Sequence, residues 1–150
     1  MKVLITFLAL FAVNMGFLLY QSGMGGYLSA QTYLKELAEE CASGVALYFD
    51  ARAYADGDVV FNQAEGEKYI AYLLAADGKQ APFTVEGDIS CEVKFFDDFT
   101  GYLREDSVNG VRDGHPSVWI RLSAETEEFF RLPFISVKHI ERQAFYEFPI

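Results

Sequence analysis

Few residues in this sequence have the type and spacing that catalysis needs. The two histidines, His115 and His139, lie far from both cysteines and from any Gly-x-Ser-x-Gly nucleophile elbow. The adjacent carboxylates Asp97 and Asp98 have the chemistry for acid/base work or calcium binding. However, neighbours in a strand point apart, and no Asp-x-Asp-x-Asp loop with a downstream Glu supports a calcium ion. We therefore predict no catalytic residues, no cofactor and no metal.

The only glycine-rich segment, Gly23 to Gly26, lacks the context of a phosphate-binding loop. It follows an apolar run instead of a strand, and no Lys-Ser/Thr pair comes after it. Each glycine lowers helix propensity by roughly 1 kcal/mol relative to alanine. The segment is therefore a candidate hinge.

The two cysteines, Cys41 and Cys91, lie fifty residues apart with no Cys-x-x-Cys pair, so their spacing does not suggest a metal site. In an exported chain an even cysteine count favours a disulfide, and two buried reduced thiols are the alternative. On the chain-entropy model, a bridge of this length would stabilise the fold by roughly 4 kcal/mol.

The opening of the chain carries the strongest signal. No charged side chain occurs between Lys2 and Lys35, and residues 3–20 are almost unbroken apolar sequence. This length approaches the ~20 residues that a helix needs to cross a ~30 Å hydrocarbon core. We predict a single-pass transmembrane anchor over residues 1–26 and a head over residues 27–150. Because the only early positive charge precedes the span, we expect a cytoplasmic N-terminus and an extracytoplasmic head.

A cleaved secretory signal is the alternative interpretation of the same residues. Lys2 would be its basic region and Gly23-Met24-Gly25 its cleavage site. We favour an anchor that stays attached, because the apolar run exceeds the ~7 to 15 residues of a usual signal peptide and a helical pattern resumes after the glycines. Both interpretations place the remainder of the chain outside the cytoplasm.

The net charge of the chain argues against two classes of binding partner. The chain has 150 residues and a formal net charge of −10, which argues against nucleic acid and against charge-driven adhesion to an anionic membrane. The part beyond the anchor suffices for one domain. Fourteen Phe, nine Tyr and one Trp include adjacent pairs in which one ring is left for a second layer, a partner or the membrane interface: Phe95-Phe96, Phe129-Phe130 and Phe145-Tyr146.

Apolar periodicity predicts the elements of the head. Apolar residues recur every three or four positions from Tyr27 to about Phe49, so a second amphipathic helix, if coaxial with the first, gives a helix of roughly 70 Å. We also predict a helix over Gln63 to Ala76 and a connection over residues 97–116 that turns at Asn109-Gly110. Four strands complete the α+β fold, whose small antiparallel sheet lies against the long helix: Val59–Phe61, Ile89–Phe95, Val118–Ala124 and Ser136–Phe148.

Three parts of the sequence carry a family resemblance. An uncharged apolar helix begins at Ile5-Thr6-Phe7-Leu8-Ala9-Leu10, and helix turns of the Leu-x-x-x-Ala type follow over Leu34–Gly44. The chain ends in a strand, a Leu-Pro turn and a second strand over 118–122, 131–135 and 139–144. This arrangement resembles the TadE/TadG-like pilin family of Flp (tight adherence) pili, which belongs to the type IV pilin group.

The resemblance implies a minor pilin or pseudopilin, a structural cell-surface protein of a pilus or secretion system. Its implied partners are other pilin-like subunits and the inner-membrane assembly platform, both reached through the N-terminal helix. The chain departs from pilins in having only Lys2 as a leader and no acid before Glu36, which points to an accessory subunit or to a start codon that omits the leader.

Small residues suggest how such helices would pack in the bilayer, namely through Ala9, Ala12 and Gly16. Asn14 is predicted to hydrogen-bond between helices, or else to be a tolerated lone amide. The alternative function is a secreted or membrane-anchored module that binds a ligand through its aromatic-rich head, with an envelope enzyme as the third choice.

Overall fold

The computed structural model describes residues 1–77, 80–102 and 115–149. The predicted Asn109-Gly110 turn lies outside them. Three helices and three strands follow in chain order: α1 Lys2–Val45, α2 Ala51–Asp56, α3 Gln63–Asp77, β1 Ser90–Phe96, β2 Ser117–Glu125 and β3 His139–Glu147.

Helix α1 is one continuous helix of 44 residues, about 66 Å at 1.5 Å per residue. The two predicted segments are therefore coaxial, and Gly23 to Gly26 does not act as a hinge. The helix ends at Val45 and not at the predicted Phe49. The last turn tightens to 3-10 geometry, in which the N–H of Leu47 donates to Gly44 O and that of Tyr48 donates to Val45 O. Such bonds to the third residue back are common at the end of an α-helix.

The sequence analysis missed α2. Asp50 begins this helix because its carboxylate accepts the N–H of Arg52 at 2.7 Å, and Gly57 ends it with a φ of 102° that glycine adopts without strain. The predicted strand Val59–Phe61 is wrong. Only an isolated bridge between Phe49 and Phe61 forms there, because the N–H groups of Val59 and Phe61 bond to the carboxylates of Asp98 and Asp97 instead of to a strand.

The sheet is antiparallel with strand order β1-β2-β3, as the predicted α+β layout requires. Cys91 on β1 opposes Leu122 on β2, and Ile120 on β2 lies between Val93 on one side and Ala144 on the other. Helix α1 packs on β2 and β3, and its second half also contacts α3. The α+β expectation, with a long helix lying on a small antiparallel sheet, is confirmed.

The core lies between the second half of α1, the sheet and α3. Its members share near-complete burial: Ala30, Leu34, Leu37, Ala38, Cys41, Ala42, Val45, Ile70, Leu73, Val118, Ile120, Leu122 and Ile140. The opposite face of the sheet also buries an aromatic ring. Trp119 alternates with the inward-facing residues of β2 and therefore lies on this opposite face. Its ring is covered there by Lys94 Nζ and the Arg121 guanidinium, which lie 5.2 and 4.8 Å from the ring centre.

Candidate functional site: an exposed apolar helix and its aromatic collar

The first half of α1 stands outside the core. Every residue from Val3 to Leu19 is exposed except Gly16, which is half-buried. Among the described residues, this is the one helix long and apolar enough to cross a membrane. Such a continuous apolar surface is larger than soluble monomers usually expose, so it marks a surface for lipid or for other helices. We call residues 3–19 the exposed segment.

The polar side chains of the exposed segment bond to its own backbone. Asn14 Nδ2 donates to the carbonyl oxygen of Leu10 at 2.8 Å, and Thr6 Oγ1 donates to that of Lys2 at 3.0 Å. These bonds lower the cost of placing both groups in hydrocarbon. The geometry of Asn14 thus matches the tolerated lone amide better than the interhelical bond.

The predicted assembly residues do not all share one face. At 100° per residue, Ala9, Ala12 and Gly16 form a single narrow stripe, whereas Asn14 points to the opposite side. A Cβ built on Gly16 would meet nothing within 4 Å, so the stripe is open. It is therefore the three small residues, without Asn14, that could let a second helix approach closely.

Aromatic rings pack on one face of α1 where the exposed segment ends. Tyr20 stacks on Phe130 with ring centres 5.7 Å apart, and Tyr27 meets Phe129 edge-on at 5.8 Å. Phe83 extends the group, with its ring 6.4 Å from that of Phe129. We call Phe83, Phe129 and Phe130 the collar. It holds α1 from inside the predicted anchor range, because Tyr20 precedes residue 26.

Gly23 allows the collar to close on the helix. A Cβ atom at this position would lie 2.6 Å from Phe130 Cδ1 and 2.8 Å from the carbonyl oxygen of Phe129. No real side chain fits at such distances, so the glycine is required by close approach and not by a bend in the helix. The candidate hinge is instead a docking point.

A cleft of about 390 Å³ opens beside the collar. Its walls come from both α1 and the head, and include Leu19, Ser22, Pro82, Glu128 and Arg131. The cleft is shallow and lined by polar and apolar groups in similar measure.

The carboxylates Asp97 and Asp98 are brought to one place and hold the backbone together. Asp97 Oδ2 accepts the N–H of Phe61 at 2.8 Å while its Oδ1 accepts that of Thr100 at 2.6 Å. Asp98 Oδ2 accepts the N–H of Val59 at 2.7 Å. Both carboxylates thereby fix the segment that precedes α3.

Asp98 has one further partner in the head. Its Oδ1 accepts the hydroxyl of Tyr102 at 3.0 Å. Burial and the two carboxylates raise the pKa of Tyr102 to about 12. The phenol is therefore a hydrogen-bond donor across the neutral range.

The remaining candidate residues are dispersed. His139 Nδ1 lies 2.9 Å from Glu125 Oε1 across β2 and β3, an exposed pair, and His115 is exposed at the edge of the described residues. Cys41 is buried on α1 and Cys91 half-buried on β1. Both are thiols, so the predicted disulfide is not formed here and pairing in the cell stays a prediction. Within residues 1–77, 80–102 and 115–149, no cluster of metal-ligating side chains exists.

Compared with known proteins, the chain matches no family model, no curated protein and no solved structure. The resemblance to TadE/TadG-like pilins is not tested by these comparisons.

The collar is the feature that sequence reasoning missed. Its signals were present as the Phe129-Phe130 pair and the Gly23 to Gly26 segment, but these lie more than a hundred residues apart. Only the folded sheet brings them together.

Proposed function

We propose that this protein is a membrane-anchored minor pilin or pseudopilin-like structural subunit of a Flp/Tad-type pilus or secretion system. The observation that carries the proposal is the division of α1. Its first half is exposed and apolar, and its second half is built into the core of an α+β head. One rigid helix thus joins a membrane segment to a head without a linker.

Energetics support insertion of the exposed segment. Its side chains leave water only if lipid or other helices cover them, at about 25 cal/mol for each Å² buried. On the insertion scale, its Leu, Ile, Phe and Val residues contribute on the order of −3 to −7 kcal/mol in total. Lys2 at the start of the helix favours a cytoplasmic N-terminus and an outward head.

The collar argues against removal of the helix as a cleaved signal. Cleavage at Gly23-Met24-Gly25 would remove Tyr20 and Gly23, which both contact Phe130, and would leave only Tyr27 of α1 beside that ring. The head would then expose part of a buried ring, which costs up to about 3 kcal/mol. A secreted ligand-binding module, the second candidate, would use the cleft beside the collar, but the wall formed by Leu19, Ser22 and Gly23 would leave with the helix.

The small-residue stripe gives a way to associate with other subunits. Ala9, Ala12 and Gly16 permit backbones to approach, and van der Waals packing then holds helices together in lipid. Lateral packing of this kind is what a pilin-like subunit needs, both in the membrane and at the assembly platform.

Self-association of the full chain in bilayers tests the proposal. Energy transfer between donor-labelled and acceptor-labelled copies is expected for the natural chain and expected to fall for the double variant Ala12→Leu with Gly16→Leu. Leu18→Phe is the matched control, because it enlarges a side chain on the opposite side of the same helix. Equal loss in both variants, or no transfer at all, would leave an anchored module as the better description.

A further inference from the structure

We propose that the loop of residues 127–135 docks on the outer surface of the same bilayer, with Phe134 inserted at the lipid headgroup level. This inference rests on the proposed membrane span of α1. Its consequence is a head that lies on the membrane instead of standing away from it.

The loop is anchored beside the point where the exposed segment ends. Phe129 and Phe130 contact Tyr27 and Tyr20 of α1, and Arg131 shares a cleft with Leu19. The loop therefore follows the helix to the last residue that we assign to the membrane.

The length of the exposed segment sets the height of the loop. Residues 3–19 extend roughly 26 Å at 1.5 Å per residue, slightly less than a ~30 Å hydrocarbon core. Because the collar already contacts α1 at Tyr20, no free stretch of helix remains to lift the head from the bilayer. The collar must lie within the interfacial layer, where Tyr20 is also well placed as an interfacial aromatic residue.

The tip of the loop has the chemistry of that layer. Leu132 to Ile135 form a turn, closed by the Ile135 N–H that donates to Leu132 O at 3.2 Å, and Pro133 and Phe134 occupy its middle. Phe134 is 94 % exposed, the most exposed large apolar side chain that the structure describes in the head. An exposed apolar ring on such a tip is stabilised when it leaves water for the boundary between headgroups and acyl chains.

Charge does not drive this contact. The exposed Arg131 is offset by Glu127 and Glu128, and Lys138 Nζ lies 3.9 Å from Glu128 Oε1. The docking should therefore occur on neutral phosphatidylcholine and should not weaken as salt is added, unlike a contact made by basic residues.

Phe99 offers a matched comparison at the other end of the head. It is 83 % exposed and lies next to Asp97 and Asp98, which bind the Val59 to Phe61 segment near the distal end of α1. Residues 23 and 45 of α1 are roughly 33 Å apart along its axis. The two phenylalanines are thus alike in exposure but far apart along the membrane normal.

Tryptophan quenching in vesicles tests the inference on the full chain. Leu10→Trp, Phe134→Trp and Phe99→Trp each add one tryptophan, and the signal of Trp119 in the parent is subtracted. The chains are placed in phosphatidylcholine vesicles that contain lipid brominated high on the acyl chain. We expect the added fluorescence to be strongly quenched for Phe134→Trp and partly quenched for Leu10→Trp, which lies near the bilayer centre, to persist for Phe99→Trp, and to be unchanged by high salt.

Each other outcome has a defined meaning. Quenching of Leu10→Trp without Phe134→Trp would overturn the docking and leave the span standing. A blue-shifted but unquenched Phe134→Trp would mean that a second copy covers the loop, which also overturns it. Quenching of Phe99→Trp as well would indicate unspecific adhesion of the head and would also overturn the docking of this loop. If Leu10→Trp is not quenched, the proposed membrane span itself fails.

Discussion

The ring of Phe130 occupies the space that a side chain on Gly23 would need. A Cβ atom on Gly23 would lie 2.6 Å from Phe130 Cδ1. This contact joins α1, just beyond its exposed segment, to the last third of the chain, and it fixes where the head begins along the helix.

Replacement of Gly23 should therefore destabilise the head. Gly23→Ala pushes on Phe130 and on the Phe129 carbonyl, and overpacking of this kind costs about 1 to 3 kcal/mol, partly offset by roughly 1 kcal/mol of gained helix propensity. We expect a lower urea midpoint for the detergent-solubilised chain. Gly25→Ala is the control, because a Cβ there would meet nothing within 4 Å, and it should leave the midpoint equal or higher. Equal effects of the two substitutions would contradict the contact.

Asp97 should matter for stability and not for catalysis. Asp97→Ala leaves the buried N–H of Phe61 without its acceptor, at about 1 to 3 kcal/mol, and removes the part-buried bond to the N–H of Thr100 as well. We expect a clear loss of thermal stability, whereas Asp88→Ala, an exposed aspartate, should change it by less than about 0.5 kcal/mol. A fully stable Asp97→Ala chain would refute the role assigned to this carboxylate.

Cys91 should make stability fall in alkaline solution. Burial and then the Glu92 charge raise the pKa of Cys91 to about 11, above the ordinary value of about 8.5. Between these values the unfolded chain has lost the thiol proton and the folded chain retains it. Fewer protons bound by the unfolded state means that stability decreases as pH rises through this window and is unaffected below it.

The variant Cys91→Ala isolates this titration, because the tyrosines titrate in both chains. Thermal midpoints measured from pH 8 to pH 11 should fall more steeply for the natural chain than for the variant. Parallel slopes would show that Cys91 does not titrate as a buried thiol, as would happen if it were paired with Cys41 in a disulfide.

Asn14 should contribute little to association in the bilayer. Its amide nitrogen already bonds to Leu10 O of its own helix. We expect Asn14→Leu to preserve energy transfer between labelled copies, with Leu18→Phe as the reference for unrelated changes on that side. An interhelical amide bond would contribute about 0.6 to 2 kcal/mol, so a roughly threefold or larger weakening in Asn14→Leu would contradict this assignment.

Local pattern predicted most of the elements. The period of two in Val118 to Ala124 and the 3.6 period in Gln63 to Ala76 gave β2 and α3 nearly at their observed bounds, because burial on one face imposes those periods. The last two strands pair antiparallel, as the predicted small antiparallel sheet requires.

What the sequence analysis missed depends on contacts between distant residues. The glycines near residue 23 lower helix propensity, yet packing of the collar outweighs that local cost and keeps α1 continuous. Val59 to Phe61 has strand composition, but Asp97 and Asp98 bind its N–H groups in place of a neighbouring strand. Neither effect can be predicted from a short stretch of sequence, because each depends on a contact with residues far along the chain.

The mass and location of the protein expressed in its own host decide whether α1 stays attached as a membrane anchor. We expect a chain that still contains the Val3–Leu19 segment and remains in the membrane fraction after alkaline extraction. Its head should be open to protease added from outside. A soluble form that starts near Gly26 would contradict the account, because it would show that the apolar helix is a removed signal and not an anchor.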